Sequence, residues 1–139
     1  MKLSKFNNLK QLVTINTKKY KFDENKKVSA GQKQIQDFLL QYIAPEYILQ
    51  ELRIPGSLKR LDLVIYHKKI VIEYSPKSHH GTFNKFFHGN RMEYLKSIKS
   101  DIQKQEYVEN NGYTFIELSE KDLPLLSYDF FIKVFNVYL

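Results

Sequence analysis

The chain has no cysteine, which excludes disulfides and thiolate-ligated metal sites and is neutral on compartment. No apolar run approaches the roughly 20 residues that a membrane-spanning helix needs. The lysine-rich start carries neither a continuous apolar stretch nor a small-residue cleavage site. A secreted protein is therefore not expected, and a cytoplasmic one is. No internal repeat and no long linker divides the sequence. Acids are also in short supply: 15 Asp and Glu stand against 22 Lys and Arg, for a net charge of +7.

What is present fits one folded domain. The chain has 139 residues, 42% of them hydrophobic, enough to bury a real core. The positive charge is uneven. Residues 1–28 hold eight lysines, among them Lys18, Lys19, Lys26 and Lys27, against Asp23 and Glu24. A basic arm on a nearly balanced body points to a polyanionic partner, with phosphates foremost. The competing explanation is a composition rich in lysine throughout. No long amphipathic face accompanies the arm, so no membrane partner is expected.

The hydrophobic pattern gives an order of elements. A short strand-like piece, 11–15, lies within the arm. Ser29-Ala30-Gly31-Gln32 has the form of a capping box and opens a helix of about a dozen residues, with Ile35, Phe38, Leu39 and Tyr42 as its stripe. Ala44-Pro45 ends it. Strands are expected at 47–54, 60–66 and 70–74, then a His-, Gly- and Phe-rich loop from 75 to 90. A helix follows over 91–110, with Leu95, Ile98 and Ile102 at helical spacing and Asn110-Asn111-Gly112 as its stop. A fourth strand at 113–118 and a C-terminal helix over 128–139 complete an α/β fold. Its expected form is a mixed four-stranded sheet flanked by helices, with a right-handed crossover between the third and fourth strands.

Two carboxylates stand out within the hairpin. If His67-Lys68 is a two-residue turn, Ile65 faces Ile70 and Asp62 falls opposite Glu73. Such partners have Cβ atoms roughly 4.5–5.5 Å apart on one face. Carboxylates that close repel, and apolar strands solvate them poorly. A divalent cation relieves both penalties, and hard oxygen ligands suit Mg²⁺. The plainer alternative is a solvated pair bonded to Lys59, Arg60 or Lys69.

The runs Leu61-Asp62-Leu63-Val64-Ile65 and Ile72-Glu73-Tyr74-Ser75-Pro76-Lys77-Ser78-His79-His80 resemble the PD-(D/E)XK nuclease superfamily. More narrowly, they are similar to its branch of very-short-patch repair and small homing endonucleases. Asp101, Lys104 and Asn111-Gly112-Tyr113 match the helix and following strand of that branch. The resemblance covers about residues 29–120. It implies a restriction-endonuclease-like core, expected over 29–139; residues 1–28 lie outside it, as a basic arm expected from its charge to grip the backbone of DNA.

The same resemblance implies a metal-dependent DNA endonuclease. Asp62 and Glu73 would hold Mg²⁺, or Mn²⁺ in its place. Apart from the resemblance, Glu51 on the preceding strand is a further candidate acid, against its plainer reading as a strand-surface glutamate paired with Lys or Arg. Ser75 departs from the pattern where the superfamily usually has Lys, and Ser78 where the branch often has Gln. Lys77, two residues beyond Ser75, or His79 would then orient the attacking water. Lys59, Arg60, Lys85 and Arg91 are further candidates for DNA contact, with Phe83, Phe86 and Phe87 interleaved for stacking. Lys96, Lys99 and Lys104 read as ordinary solvated helix charges.

Several alternatives stay open. The serines admit a nuclease-fold module that binds DNA without cutting, and the core would equally serve a nuclease of structured RNA. His79, His80 and His88 admit a zinc site, against the divergence of adjacent side chains. Double-strand cutting would favour a homodimer, with the apolar C-terminal segment as its interface.

Overall fold

The computed structural model describes residues 1–76 and 91–135. In chain order a hairpin of β1 (Lys2–Lys5) and β2 (Asn8–Thr14) leads through a 3-10 turn at Thr17–Tyr20 to α1 (Ala30–Leu39). Strands β3 (Ile48–Arg53), β4 (Arg60–Ile65) and β5 (Ile70–Ser75) follow, then α2 (Arg91–Asn110), β6 (Thr114–Ser119) and α3 (Tyr128–Phe135). The last four strands form one mixed sheet in the order β3-β4-β5-β6. Its first two pairings are antiparallel and β5 runs parallel to β6. Among the described residues no helix is long and apolar enough to cross a membrane.

Both faces of the sheet are covered, which suits strands that are apolar on successive residues rather than alternate ones. On one face Ile48, Leu63, Ile65, Ile72 and Ile116 pack against Ile35, Phe38 and Leu39 of α1 and Phe131 and Phe135 of α3. On the other, Leu49, Val64 and Val71 meet Tyr107 and Val108 of α2. Full burial of each such aliphatic side chain contributes about 1.5–3 kcal/mol. The C-terminal segment thus places Phe131 and Phe135 in its own core and leaves Tyr128 and Val134 exposed. Residues 136–139, the end of the expected helix, lie outside the described residues.

The first 28 residues, read as an arm, fold onto the body. Leu3 and Ile15 join the core on the α2 face. The Tyr107 hydroxyl donates to the Ser4 carbonyl at 2.7 Å, and the Ser4 amide donates to Asn111 Oδ1 at 2.9 Å. The strand expected at 11–15 is the longer β2, paired with a strand that the pattern did not show.

The β4–β5 connection corrects the expected turn. It is a four-residue loop, Tyr66 to Lys69, closed by Lys69 in the left-handed region at φ 55°. Ile65 still faces Ile70, Val64 faces Val71 and Leu63 faces Ile72. Loops of two and four residues both close on Ile65 and Ile70, so the register survives the change of turn.

Candidate functional site

The ladder between β4 and β5 stops at the Leu63–Ile72 pair. One step further the two carboxylates replace the backbone partners. The Asp62 amide donates to Glu73 Oε2 at 2.6 Å, and the Tyr74 amide donates to Asp62 Oδ2 at 2.9 Å. Each acid is therefore fixed by the opposite strand, at a fork where the sheet opens. Glu73 is buried at 7% exposure, while Asp62 is half-buried.

Lys104 completes the arrangement and corrects its reading as a solvated helix charge. Its ammonium sits 2.5 Å from Glu73 Oε1. The placement follows from helix geometry: Lys104 lies three and four residues before Tyr107 and Val108, which are buried against the sheet. Asp101 lies on the same face one turn earlier. Asp62, Glu73, Asp101, Lys104 and Glu117 line a cavity of about 210 Å³. Asp62 also borders a larger cavity of about 490 Å³ on the α1 side, with Gln32, Tyr74 and Pro76.

Burial pushes the Glu73 carboxyl up to about 7, the neighbouring Asp62 charge adds to the rise, and the Lys104 ammonium opposes it. Asp62 is raised as well, chiefly by burial, against the Tyr74 amide and Lys104. Glu51 adds to the Asp62 rise through its charge.

Glu51 belongs to the same row. The β3–β4 register pairs Gln50 with Leu63 and Leu52 with Leu61, which leaves Glu51 opposite Asp62 without a paired rung. Its φ of 51° is left-handed, a conformation that costs a residue other than glycine on the order of 1–3 kcal/mol and is concentrated at functional sites. The side-chain alternation slips here: Leu52 shares a core with Leu49, and Leu61 with Val64.

A line of buried amides holds Glu51. Gln32 Nε2 donates to Glu51 Oε1 and to Gln36 Oε1, both at 3.3 Å. Gln50 Nε2 donates to Gln36 Oε1 at 3.0 Å, and Gln50 Oε1 accepts the Asp23 amide at 2.8 Å. The expected capping box is thus half formed. Ser29 Oγ accepts the Gln32 amide, but the Gln32 side chain turns inward to this network.

Close packing sets Tyr74 in turn. A Cβ on Gly31 would stand 2.1 Å from the Tyr74 ring, so only glycine in the first turn of α1 admits the ring, whose residue donates its amide to Asp62.

The remaining expected residues divide clearly. Lys18, Lys19, Lys26, Lys27 and Arg60 are exposed, and Arg60 opens β4 two residues before Asp62. Lys59 is half-buried; its ammonium bonds the Ser100 hydroxyl and lies 5.9 Å from the centre of the Phe6 ring. Lys77, His79 and Lys85 lie outside the described residues, as do His80, His88, Phe83, Phe86, Phe87 and the Arg91 side chain.

Among the described residues no three acid or histidine side chains form a ready-made metal cage. The donor set nevertheless suits Mg²⁺, which is usually held by one or two carboxylates with water and substrate oxygens. Asp62 and Glu73 offer hard oxygens, and among the described residues Lys104 is the cation whose charge opposes the rise of both. No protein-family model matches this chain, and neither a curated protein nor a solved structure was found similar to it.

Proposed function

We propose that this chain is a metal-dependent DNA endonuclease built on a restriction-endonuclease-like core. The observation that carries this reading is the fork of β4 and β5, where Asp62, Glu73 and Lys104 meet in one cavity. Asp62 and Glu73 would hold Mg²⁺ or Mn²⁺, with Glu51 next in the row. When bound, the cation would polarise a phosphodiester oxygen and ease deprotonation of the attacking water.

The chain's own groups supply the rest. The Tyr74 amide and the Asp62 amide fix the two carboxylates, so little reorganisation is needed during reaction. The Lys104 ammonium takes the role that the resemblance gave to Lys77: it can hold the attacking water by a hydrogen bond or steady the developing negative charge. Lys77 and His79 remain candidates for contact with the leaving group side. Arg60 and the lysines of the first 28 residues would grip phosphates without reading sequence.

The ion pair itself favours a second reading. An ammonium on Glu73 compensates part of the charge that a cation would otherwise balance, as a DNA-binding module that no longer cuts would require. Cleavage of supercoiled and linear DNA with Mg²⁺ or Mn²⁺ separates the two. Nicking by the wild type that is lost in Asp62→Ala, Glu73→Ala and Lys104→Met, all folded by circular dichroism, supports the enzyme. Binding without scission, on branched and mismatched DNA as well, supports the module.

A further inference from the structure

A third recess, which shares no lining residue with the two cavities at the fork, lies between the end of β2 and the end of β3. Thr14 and Asn16 at the end of β2, Lys19 and Tyr20 of the 3-10 turn, and Arg53 and Pro55 line a groove of about 290 Å³. That is at the lower limit of small-molecule sites, roughly 300–1,000 Å³, and too small for a double helix. No carboxylate lines it.

Its charge is arranged against itself. Arg53 pairs directly with Arg60 across β3 and β4, and like charges in that position are destabilising. Neither arginine has an acid within ion-pair distance among the described residues. Arg53 is instead held by its Nε, which donates to the Ser57 carbonyl at 2.9 Å, leaving the rest of the guanidinium for another acceptor. In the same lining the Lys19 ammonium lies 5.6 Å from the centre of the Tyr20 ring. An anion in the groove satisfies Arg53, and a flat ring suits the Tyr20 side chain in the same lining. Together these are the parts of a nucleotide.

We propose that this groove receives one unpaired nucleotide of the substrate strand, its phosphate on Arg53 and Lys19 and its base against Tyr20. The proposal rests on the nuclease reading and deepens it. Arg53, which lines the groove, stands two residues beyond Glu51 on β3, roughly 7 Å along the strand, and so links the groove to the acidic row. The substrate class that follows is DNA with single-stranded character beside the cut, such as a flap or a branch, rather than fully paired duplex.

The test is fluorescence anisotropy with the whole chain in Ca²⁺ and in EDTA, on matched labelled oligonucleotides: a blunt duplex and the same duplex with a 5′ or 3′ single-stranded flap. The expected result is a flap bound at least tenfold more tightly than the blunt duplex. Lys19→Gln, Arg53→Gln and Tyr20→Leu should each reduce that preference to under threefold, with Arg53→Lys retaining most of it. Equal affinity of the wild type for both DNAs overturns the proposal, and so does a preference that survives in all three variants. Cleavage assays on the same DNAs keep the two readings apart. Flap preference without scission leaves the groove standing and removes the enzyme. Scission without flap preference does the reverse.

Discussion

The amide of Asp62 donates to the carboxylate of Glu73 at 2.6 Å, in the place where the next backbone rung of the β4–β5 ladder would fall. A sheet that ends in this way is held open by side-chain charge, and its stability should follow the ionisation of that charge.

In metal-free protein the Glu73 carboxyl ionises near 7, against 4.5 for an unperturbed glutamate. The unfolded chain therefore loses this proton first as pH rises. Its stabilising contribution is complete below about pH 4.5 and disappears as pH passes 7. The loss is on the order of 3 kcal/mol, at 1.36 kcal/mol per pH unit. Urea unfolding in EDTA should show wild type weakening between pH 5 and pH 8 relative to Glu73→Gln. Parallel profiles for the two proteins would contradict this.

Divalent cations should reverse that weakening. At pH 8, Mg²⁺ or Ca²⁺ at a hundred times its dissociation constant adds about 2.7 kcal/mol to the folded state. Thermal melts should shift upward for wild type and not for Asp62→Asn or Glu73→Gln. An equal shift in all three proteins would place the cation elsewhere.

Lys104 should matter to turnover more than to affinity. Its replacement by Met removes a donor at the fork, for which about a 10²–10³-fold loss in rate is typical. DNA affinity in Ca²⁺ should change by less than about threefold, because an ammonium already paired with Glu73 contributes little to backbone binding. Single-turnover cleavage read beside anisotropy distinguishes this from a Lys104 that merely grips DNA, whose loss would weaken binding and leave the rate intact.

Gly31 and Tyr74 should behave as a coupled pair. Gly31→Ala drives a methyl group into the Tyr74 ring, and such overpacking costs roughly 1–3 kcal/mol. In a Tyr74→Ala background the same change should become favourable by up to about 1 kcal/mol, since alanine is the better helix former. Chemical denaturation of the four proteins of this cycle gives the coupling directly, and additive effects would refute the contact.

The legible parts of the fold are those that hydrophobic pattern pins. The register of Asp62 against Glu73 was readable despite the wrong turn, because loops of two and of four residues both close on the Ile65–Ile70 pair. The face of α2 was not readable. Its leucine and isoleucine stripe suggested a buried side, yet Leu95 and Ile102 are exposed and Tyr107 and Val108 carry the contact with the sheet. Lys104 was therefore assigned to solvent. Nor does any glycine or asparagine mark the left-handed turn at Glu51; tertiary packing imposes it, with Gln32 reaching from α1 to hold the acid. Pairing of Glu51 with the amide line depends on residues 19 positions apart, beyond any local signal.

The attachment of β1 to the end of α2 has a bearing on how the molecule assembles. Ser4 and Asn111 are 107 positions apart and are joined by two hydrogen bonds. On a ribosome the Ser4–Asn111 contact can form only after α2 has emerged, whereas the Phe6 and Phe22 amides can bond the Pro55 and Ile48 carbonyls much earlier. Contacts of such separation form late and slow the search for the native state. Removing the segment would also expose Leu61, Val64 and Val71, the wall it shares with Leu3. The cations of this segment and the closing of the α2 face are thus one piece of chain, and neither can be trimmed away while keeping the other.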